Sequence, residues 1–205
     1  MRIAIALYPG FTALDVVGPF QVLADVPGHE VCFVGEAAGP VPDHTGRCPL
    51  VATEAFDEVD AADVVIVGGA LEDHEPDAAT VAWLRKVHPT TTWTTSVCTG
   101  SSYLAAAGIL DGRTAACHWA RTERLESYGV TYTSERVVVD GDVVTAAGVS
   151  SGIDMALRLL AELQGDDVAR SVQLAVEYDP QPPFDSGSVA TAPPEIVELV
   201  RATLG

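Results

Sequence analysis

Hydrophobic positions along the chain form two kinds of pattern. Short uninterrupted apolar runs predict buried strands, and longer stretches with apolar residues three or four positions apart predict amphipathic helices. The predicted strands cover residues 2–7, 29–34, 63–67 and 91–97, and the predicted helices cover residues 12–24, 77–87, 99–107, 153–164 and 168–178. Two β-like runs within residues 135–146 flank Asp140-Gly141, which predicts a hairpin.

This alternation of strands and helices predicts the fold class. Strands that are apolar on both faces favour a mainly parallel sheet with helices on either side, so we expect an α/β three-layer sandwich of the flavodoxin-like type. The length of 205 residues fits a single domain over residues 1–205. Segment 179–194, rich in Pro, Gly and Ser, is the one long stretch predicted to be irregular.

Composition and charge narrow the range of partners. The chain has 29 acidic and 11 basic residues and a net charge of −18, which opposes binding to nucleic acid. No apolar run approaches the ~18 residues of a membrane span, and the apolar N-terminal run is too short for a signal peptide. We therefore expect no membrane partner and a cytoplasmic location.

The four cysteines show neither CxxC spacing nor a Cys/His cluster. We therefore expect reduced thiols and no metal site. Dinucleotide, phosphate and HExxH motifs are also absent from the sequence, and we expect no cofactor.

Cys98 stands where a predicted buried strand runs directly into a helix made of small residues. A residue at such an elbow lies at the carboxyl edge of the sheet, where ligands of open α/β sheets bind. Because a helix N-terminus lowers a thiol pKa, we expect a reactive thiolate that is alkylated before the other cysteines. Gly100 and the serines after it should leave room for a substrate. The alternative is a small, buried and inert cysteine.

Five stretches of the sequence resemble the ThiJ/PfpI superfamily, and within it the isonitrile (isocyanide) hydratase branch. The similarity extends from the first strand to beyond Ser188. It is carried by Leu14-Asp15-Val16-Val17-Gly18-Pro19, by residues 96–101 with 104–113 and His118-Trp119, by residues 135–141, by Gly152-Ile153-Asp154, and by the tail motif of Gln173-Leu174, Glu177-Tyr178, Pro182-Pro183-Phe184 and Gly187-Ser188.

The resemblance implies a role for several residues and a homodimer. It makes Asp15 the general acid/base beside Cys98, although an aspartate at a helix start can instead cap backbone N–H groups. It makes Thr99 a hydrogen-bonding partner of the substrate. It also implies that backbone N–H groups near Gly69, Ala70 and Val149 face the substrate or the sulfur, although the glycine pair that Gly69 ends could equally form a plain turn.

The reaction that this resemblance implies is hydration of an isonitrile to an N-substituted formamide, through a covalent thioimidate on Cys98 and without a cofactor. Peptidase-like relatives carry a histidine directly after the cysteine, and Thr99 occupies that place here. We therefore expect no peptidase activity, and we expect His118 to be structural and to pack with Trp119.

Two other functions remain open. One is a small-molecule or redox-sensing module related to the ligand-binding domains of AraC-type regulators. The chain leaves no room for a helix-turn-helix domain after the sandwich, so we expect such a regulator to act through a protein partner. The other is a different hydrolase or glyoxalase-like activity.

Overall fold

The structure is a computed structural model that describes residues 1–71 and 75–204. The strands are β1 (Arg2–Ala6), β2 (Glu30–Gly35), β3 (Gly39–Val41), β4 (Leu50–Ala52), β5 (Glu54–Ala55), β6 (Val64–Val67), β7 (Trp93–Val97), β8 (Thr114–Ala115), β9 (Thr131–Tyr132), β10 (Val137–Asp140) and β11 (Val143–Ala146).

The helices are α1 (Ala13–Leu23), α2 (Ala78–Val87), α3 (Gly100–Ala106), α4 (Thr122–Ser127), α5 (Ser151–Gln164), α6 (Asp166–Ala175) and α7 (Pro194–Leu204). Helix α5 packs against α1 and α6, whereas α3 packs against α2 and α4. These two groups of helices flank the sheet. Within the described part of the chain, no helix is both long and apolar enough to cross a membrane.

The central sheet has the strand order β10-β11-β7-β6-β1-β2-β5. Strands β5, β2, β1, β6, β7 and β11 run parallel, and in this sheet only β10 pairs antiparallel, with β11. When the two-residue edge strand β5 is left aside, the other five parallel strands, numbered along the chain, follow the order 2-1-3-4-5, which is the flavodoxin-like arrangement. The fold class predicted from the sequence is therefore confirmed.

The strands form the centre of the core because their side chains are apolar on both faces. Every residue of β6 is buried without measurable exposure, as are Ile3 and Ile5 of β1. Continuous Val and Ile runs of this kind suit a parallel sheet that is covered by helices on both sides. The chain reverses direction along the sheet between β1 and β6, and ligands of such folds bind at the carboxyl ends of the strands near this switch point.

The main elements lie where the sequence predicts them, with boundaries shifted by one to three residues. The hairpin of β10 and β11 is present, and Gly141 in its turn has φ +65°. Strands β3, β4, β5, β8 and β9 and helix α4 were not predicted, because two- to six-residue elements carry little periodic signal. Segment 179–194 is irregular up to residue 193, and α7, also not predicted, begins at Pro194.

Candidate active site

Cys98 occupies a strained turn between β7 and α3. Its φ is +61°, a left-handed conformation that costs a non-glycine residue about 1–2 kcal/mol. The turn is held because the Cys98 N–H donates to the carbonyls of Ala146 (3.0 Å), the last residue of β11, and Ala147 (2.8 Å), the residue after it. The predicted elbow is therefore present, and it fixes Cys98 at the carboxyl edge of the sheet.

The Cys98 thiol is almost completely buried, with 4% of the residue exposed. Burial and the neighbouring Asp15 raise the pKa of Cys98 well above its ordinary value, although the backbone N–H groups of Thr99 and Val149 favour the thiolate and oppose the rise. The expectation of a lowered thiol pKa is therefore wrong for this structure. The reason is that desolvation outweighs the donors at the start of a seven-residue helix.

Asp15 lies in the first turn of α1, with no exposed surface. Its Oδ2 accepts the N–H of Gly69 (2.7 Å), 54 positions away, and not an N–H of its own helix. Burial raises the pKa of Asp15 to about 7, against the effects of the Gly69 N–H and the Cys98 thiol. The raised pKa that was expected for a general acid/base is therefore present, and the side chain does not cap α1.

Segment 68–70 follows β6 and lies directly against the nucleophile. A Cβ on Gly69 would lie 3.0 Å from the Cβ of Cys98 and 2.5 Å from Thr99 Oγ1, so only glycine permits this approach. The N–H of Gly69 is already donated to Asp15, and the N–H of Ala70 is donated to Thr99 Oγ1 (2.9 Å). These two N–H groups therefore have protein acceptors and do not form an open oxyanion hole in this structure.

The Thr99 hydroxyl is likewise engaged within the protein. It accepts the Ala70 N–H and donates to the Ala70 carbonyl (3.0 Å). Its single proton is thus used, and only a lone pair remains for any other partner. The side chain expected to bind substrate instead fastens the segment after β6 to the turn that carries Cys98.

The small residues after Cys98 serve packing, contrary to the expected open space. A Cβ on Gly100 would lie 2.3 Å from the Val67 carbonyl oxygen, so this glycine lets α3 approach the end of β6. Ser101 is fully buried and donates to the Cys98 carbonyl (3.2 Å).

Tyr8 belongs to the site but was not predicted from the sequence. Its hydroxyl donates to the Gly68 carbonyl (2.7 Å), and its ring packs on Tyr103 at 4.4 Å between centroids. Burial first, and then the charges of Tyr103, Asp15 and Cys98, raise the pKa of Tyr8 well above its ordinary value. Its position just after the first strand, at the carboxyl edge of the sheet, was the signal that could have identified it.

Comparison with known proteins places this site in a family. The profile of the DJ-1/PfpI family matches residues 1–162. The chain belongs to the DJ-1/PfpI family. It is 40% identical over 203 residues to the isonitrile hydratase of Pseudomonas putida. The aligned region covers 98% of this chain and 89% of that protein. Similarity over nearly all of both chains supports an enzyme of this kind.

Two further relatives of this DJ-1/PfpI protein bear on the fold and on the alternative function. A ThiJ/PfpI family protein from Pseudomonas syringae superimposes with a TM-score of 0.94 at 35% identity, over 99% of this chain and 85% of that chain. The HTH-type transcriptional regulator CdhR of Pseudomonas aeruginosa is 31% identical over 84% of this chain, but the match covers only 53% of the regulator.

Among residues 1–71 and 75–204, no carboxylate forms a hydrogen bond or an ion pair with His118. Its ring stacks on Trp119 with 5.7 Å between centroids, as predicted. Its Nδ1 accepts the Ala120 N–H (3.2 Å), and burial lowers its pKa, which favours the neutral ring. A Cβ on Gly148 would lie 3.0 Å from the His118 ring, so the histidine packs against the turn that follows β11.

The remaining cysteines are free thiols, of which Cys32 and Cys117 are buried and Cys48 is exposed. Burial raises the pKa of Cys32 and of Cys117 to about 11. Within residues 1–71 and 75–204, no group of three or more His, Cys, Asp or Glu side chains is arranged to hold a metal ion.

Proposed function

We propose that this protein hydrates isonitriles to N-substituted formamides, with Cys98 as the nucleophile and Asp15 as the general acid/base. The observation that carries the proposal is that the buried Asp15 and Cys98 side chains both lie against residues 68 and 69, since a Cβ on Gly68 would lie 2.9 Å from the Asp15 Cβ and one on Gly69 would lie 3.0 Å from the Cys98 Cβ. The pKa of Asp15, raised to about 7, and the raised pKa of Cys98 support it. The 40% identity of the chain to an isonitrile hydratase supports isonitriles as the substrate class.

The first step begins with one proton shared by the pair. Because the thiol pKa is raised above that of Asp15, the resting form is a Cys98 thiol beside an Asp15 carboxylate. As sulfur bonds to the terminal carbon of R–N≡C, Asp15 takes the thiol proton and delivers it to that same carbon. The product is the thioimidate R–N=CH–S–Cys98, and no net proton is gained or lost.

The second step uses Asp15 as a base towards water. The Asp15 carboxylate removes a proton from a water molecule while the oxygen of that water adds to the thioimidate carbon. Asp15 then passes this proton to the nitrogen of the adduct. The tetrahedral adduct R–NH–CH(OH)–S–Cys98 collapses with cleavage of the C–S bond. The hydroxyl proton returns through Asp15 to the sulfur, which releases R–NH–CHO and restores the thiol.

The backbone donors differ in what they can contribute to these steps. The N–H groups of Thr99 and Val149 favour the ionised sulfur, so they stabilise the negative charge that develops there when the C–S bond breaks. We propose that Gly69 and Ala70 act indirectly, since the first holds the Asp15 carboxyl and the second is fixed by the Thr99 hydroxyl.

The direct test is incubation of the purified protein with a simple alkyl isonitrile, with detection of the formamide. We expect turnover by the wild-type protein and none by Cys98→Ala. Mass spectrometry after acid quenching should find an adduct on Cys98 of the mass of one isonitrile. Absence of formamide from a folded protein would refute the proposal.

A sensing module is a second candidate because the chain also matches a transcriptional regulator over 84% of its length. In that case Cys98 would bind a ligand or become oxidised without turnover. A ligand that raises the melting temperature and is recovered unchanged would favour sensing over catalysis. We propose that in either role the protein handles a small molecule in the cytoplasm and does not contact nucleic acid.

We also propose that the functional unit is a homodimer. Large apolar side chains are exposed in the C-terminal quarter of the chain, with Leu174 at 80%, Phe184 at 78% and Leu199 at 62%. A second copy would cover this surface. Light scattering should give twice the chain mass, and Phe184→Asp should shift it toward the monomer.

A further inference from the structure

The turn of residues 147–150 reaches Cys98 in two places. The Ala147 carbonyl accepts the Cys98 N–H at 2.8 Å, and the Val149 N–H favours the ionised form of the thiol. The first contact maintains the strained φ of Cys98, and the second is one of two backbone donors to the sulfur. The position of this turn therefore affects both the geometry and the charge of the nucleophile.

Arg136, which directly precedes β10, holds this turn at both ends. Its carbonyl accepts the Ala147 N–H (2.9 Å), and its Nη2 donates to Ser150 Oγ (3.2 Å). Residues 148 and 149 lie between these two attachments. One residue thus brackets the segment that carries the Val149 donor.

The Arg136 guanidinium is itself held in place from α5 and from the chain beyond α6. Its Nε donates to Asp154 Oδ2 (2.5 Å), and the Tyr178 hydroxyl donates to the same oxygen (3.4 Å). Tyr178 follows Glu177, which has a left-handed φ of +51°. This left-handed conformation is unfavourable for glutamate. It occurs at the turn that brings the Tyr178 side chain to Asp154.

The ordinary explanation of such a pair is a surface ion pair of little consequence. The Arg136 side chain is 51% exposed and that of Asp154 is 32% exposed, so the attraction is screened and contributes little to stability. The pair is distinguished by its attachments, since a planar guanidinium donates in two directions at once, to Asp154 and to the turn. Arg158–Glu162, an exposed pair along α5, provides the comparison.

We propose that Arg136 is a positioning residue for Cys98: it fixes the turn of residues 147–150 so that the Val149 N–H points at the sulfur, and Asp154 and Tyr178 hold its guanidinium in that orientation. The predicted effect on turnover rests on the proposed isonitrile hydration, whereas the predicted effect on the thiol does not.

The test compares Arg136→Met with Arg136→Lys, and uses Arg158→Met as the matched control that loses an exposed arginine of the same region. All variants carry Cys48→Ser, so that iodoacetamide labelling followed by peptide mapping reports Cys98.

For Arg136→Met we expect kcat about tenfold lower and KM within about twofold, because a small displacement of a catalytic group mainly slows the chemical step. The pH dependence of Cys98 alkylation should move to higher pH, because the thiolate loses a donor.

Arg136→Lys should recover part of both effects, since an ammonium group can pair with Asp154 but cannot also fork to Ser150. Tyr178→Phe removes only the hydroxyl and should shift alkylation in the same direction by less. Arg158→Met should match the parent protein. If Arg136→Met does not fold, the Lys and Phe variants decide the question.

An alkylation profile that is unchanged in the folded Arg136 variants would overturn the proposal, whatever happens to turnover. Equal changes in Arg158→Met would overturn it as well. If the parent protein makes no formamide, isonitrile hydration fails, but the alkylation profiles still test the role of Arg136.

Discussion

Replacement of Asp15 by asparagine separates the catalytic role of this residue from a structural one. The carboxyl is fully buried, and burial raises its pKa from the ordinary 3.8 to about 7. Asparagine keeps the shape and can still accept the Gly69 N–H through its amide oxygen, but it cannot carry a proton between sulfur, carbon and water. We therefore expect Asp15→Asn to fold and to lose turnover.

The same raised pKa predicts a pH-dependent change in stability. Between pH 3.8 and about 7 the native protein retains a proton on Asp15 that the unfolded chain has released, so stability falls as the pH rises through this window. One pKa unit corresponds to about 1.4 kcal/mol, so the penalty approaches an upper limit of about 4 kcal/mol above pH 7. Asparagine does not ionise and escapes this penalty.

We thus expect Asp15→Asn to be more stable than the wild-type protein at pH 8, by up to a few kcal/mol, and to lose most of that advantage near pH 4. Urea unfolding at both pH values measures the difference. The assay is valid only while unfolding is two-state, which coincident fluorescence and circular dichroism transitions would establish.

Asp43 offers a control of opposite sign. Its carboxylate accepts the N–H of Cys48 (3.0 Å) and bonds from Thr45 and Arg47, and these donors lower its pKa to about 2. Its stabilising contribution is present above the unfolded pKa and is lost as the pH falls toward 2. Asp43→Asn should therefore destabilise the protein at pH 8. If Asp15→Asn is also destabilising at pH 8, or if it retains turnover, the reasoning about Asp15 is wrong.

Three further outcomes follow from the site. The value of kcat/KM should fall about tenfold per pH unit below about pH 7, because protonation of Asp15 then gives the Cys98–Asp15 pair a second proton. A flat profile from pH 5 to 8 would contradict this. Brief iodoacetamide treatment at pH 7 should label exposed Cys48 before buried Cys98, the reverse of the expectation from sequence, as peptide mapping can check. His118→Ala should leave the rate of formamide production within about twofold of the wild-type rate. Thr99→Ala should lower this rate at least tenfold, and Thr99→Ser should restore it, because serine keeps the hydroxyl that binds Ala70.

The sequence was sufficient to predict the scaffold of the site. Apolar runs and helical spacing identified the parallel strands, and the strand-to-helix junction at Cys98 identified the elbow. These features are local in sequence or follow from topology, so they are readable without coordinates. The place of Asp15 beside Cys98 came instead from the resemblance to the ThiJ/PfpI superfamily.

The protonation and bonding of the site could not be predicted in the same way. Whether a helix N-terminus lowers the pKa of Cys98 depends on how much water reaches the sulfur, and that is decided by packing from distant parts of the chain. The pairing of the Thr99 hydroxyl with Ala70 joins residues 29 positions apart. A threonine after a nucleophile looks the same in sequence whether its hydroxyl faces the substrate or the backbone.

The raised thiol pKa changes how this site can achieve catalysis. If Cys98 and Asp15 were both ionised in the resting enzyme, the proton that adds to the isonitrile carbon would have to come from solvent or from another group. A buried thiol beside a carboxylate with a pKa near 7 keeps the required proton within the pair, and Asp15 needs only to move it from sulfur to carbon. The burial that makes Cys98 a poor free nucleophile therefore also keeps one proton on the pair above pH 7, which is the condition that addition of S–H across a single carbon requires.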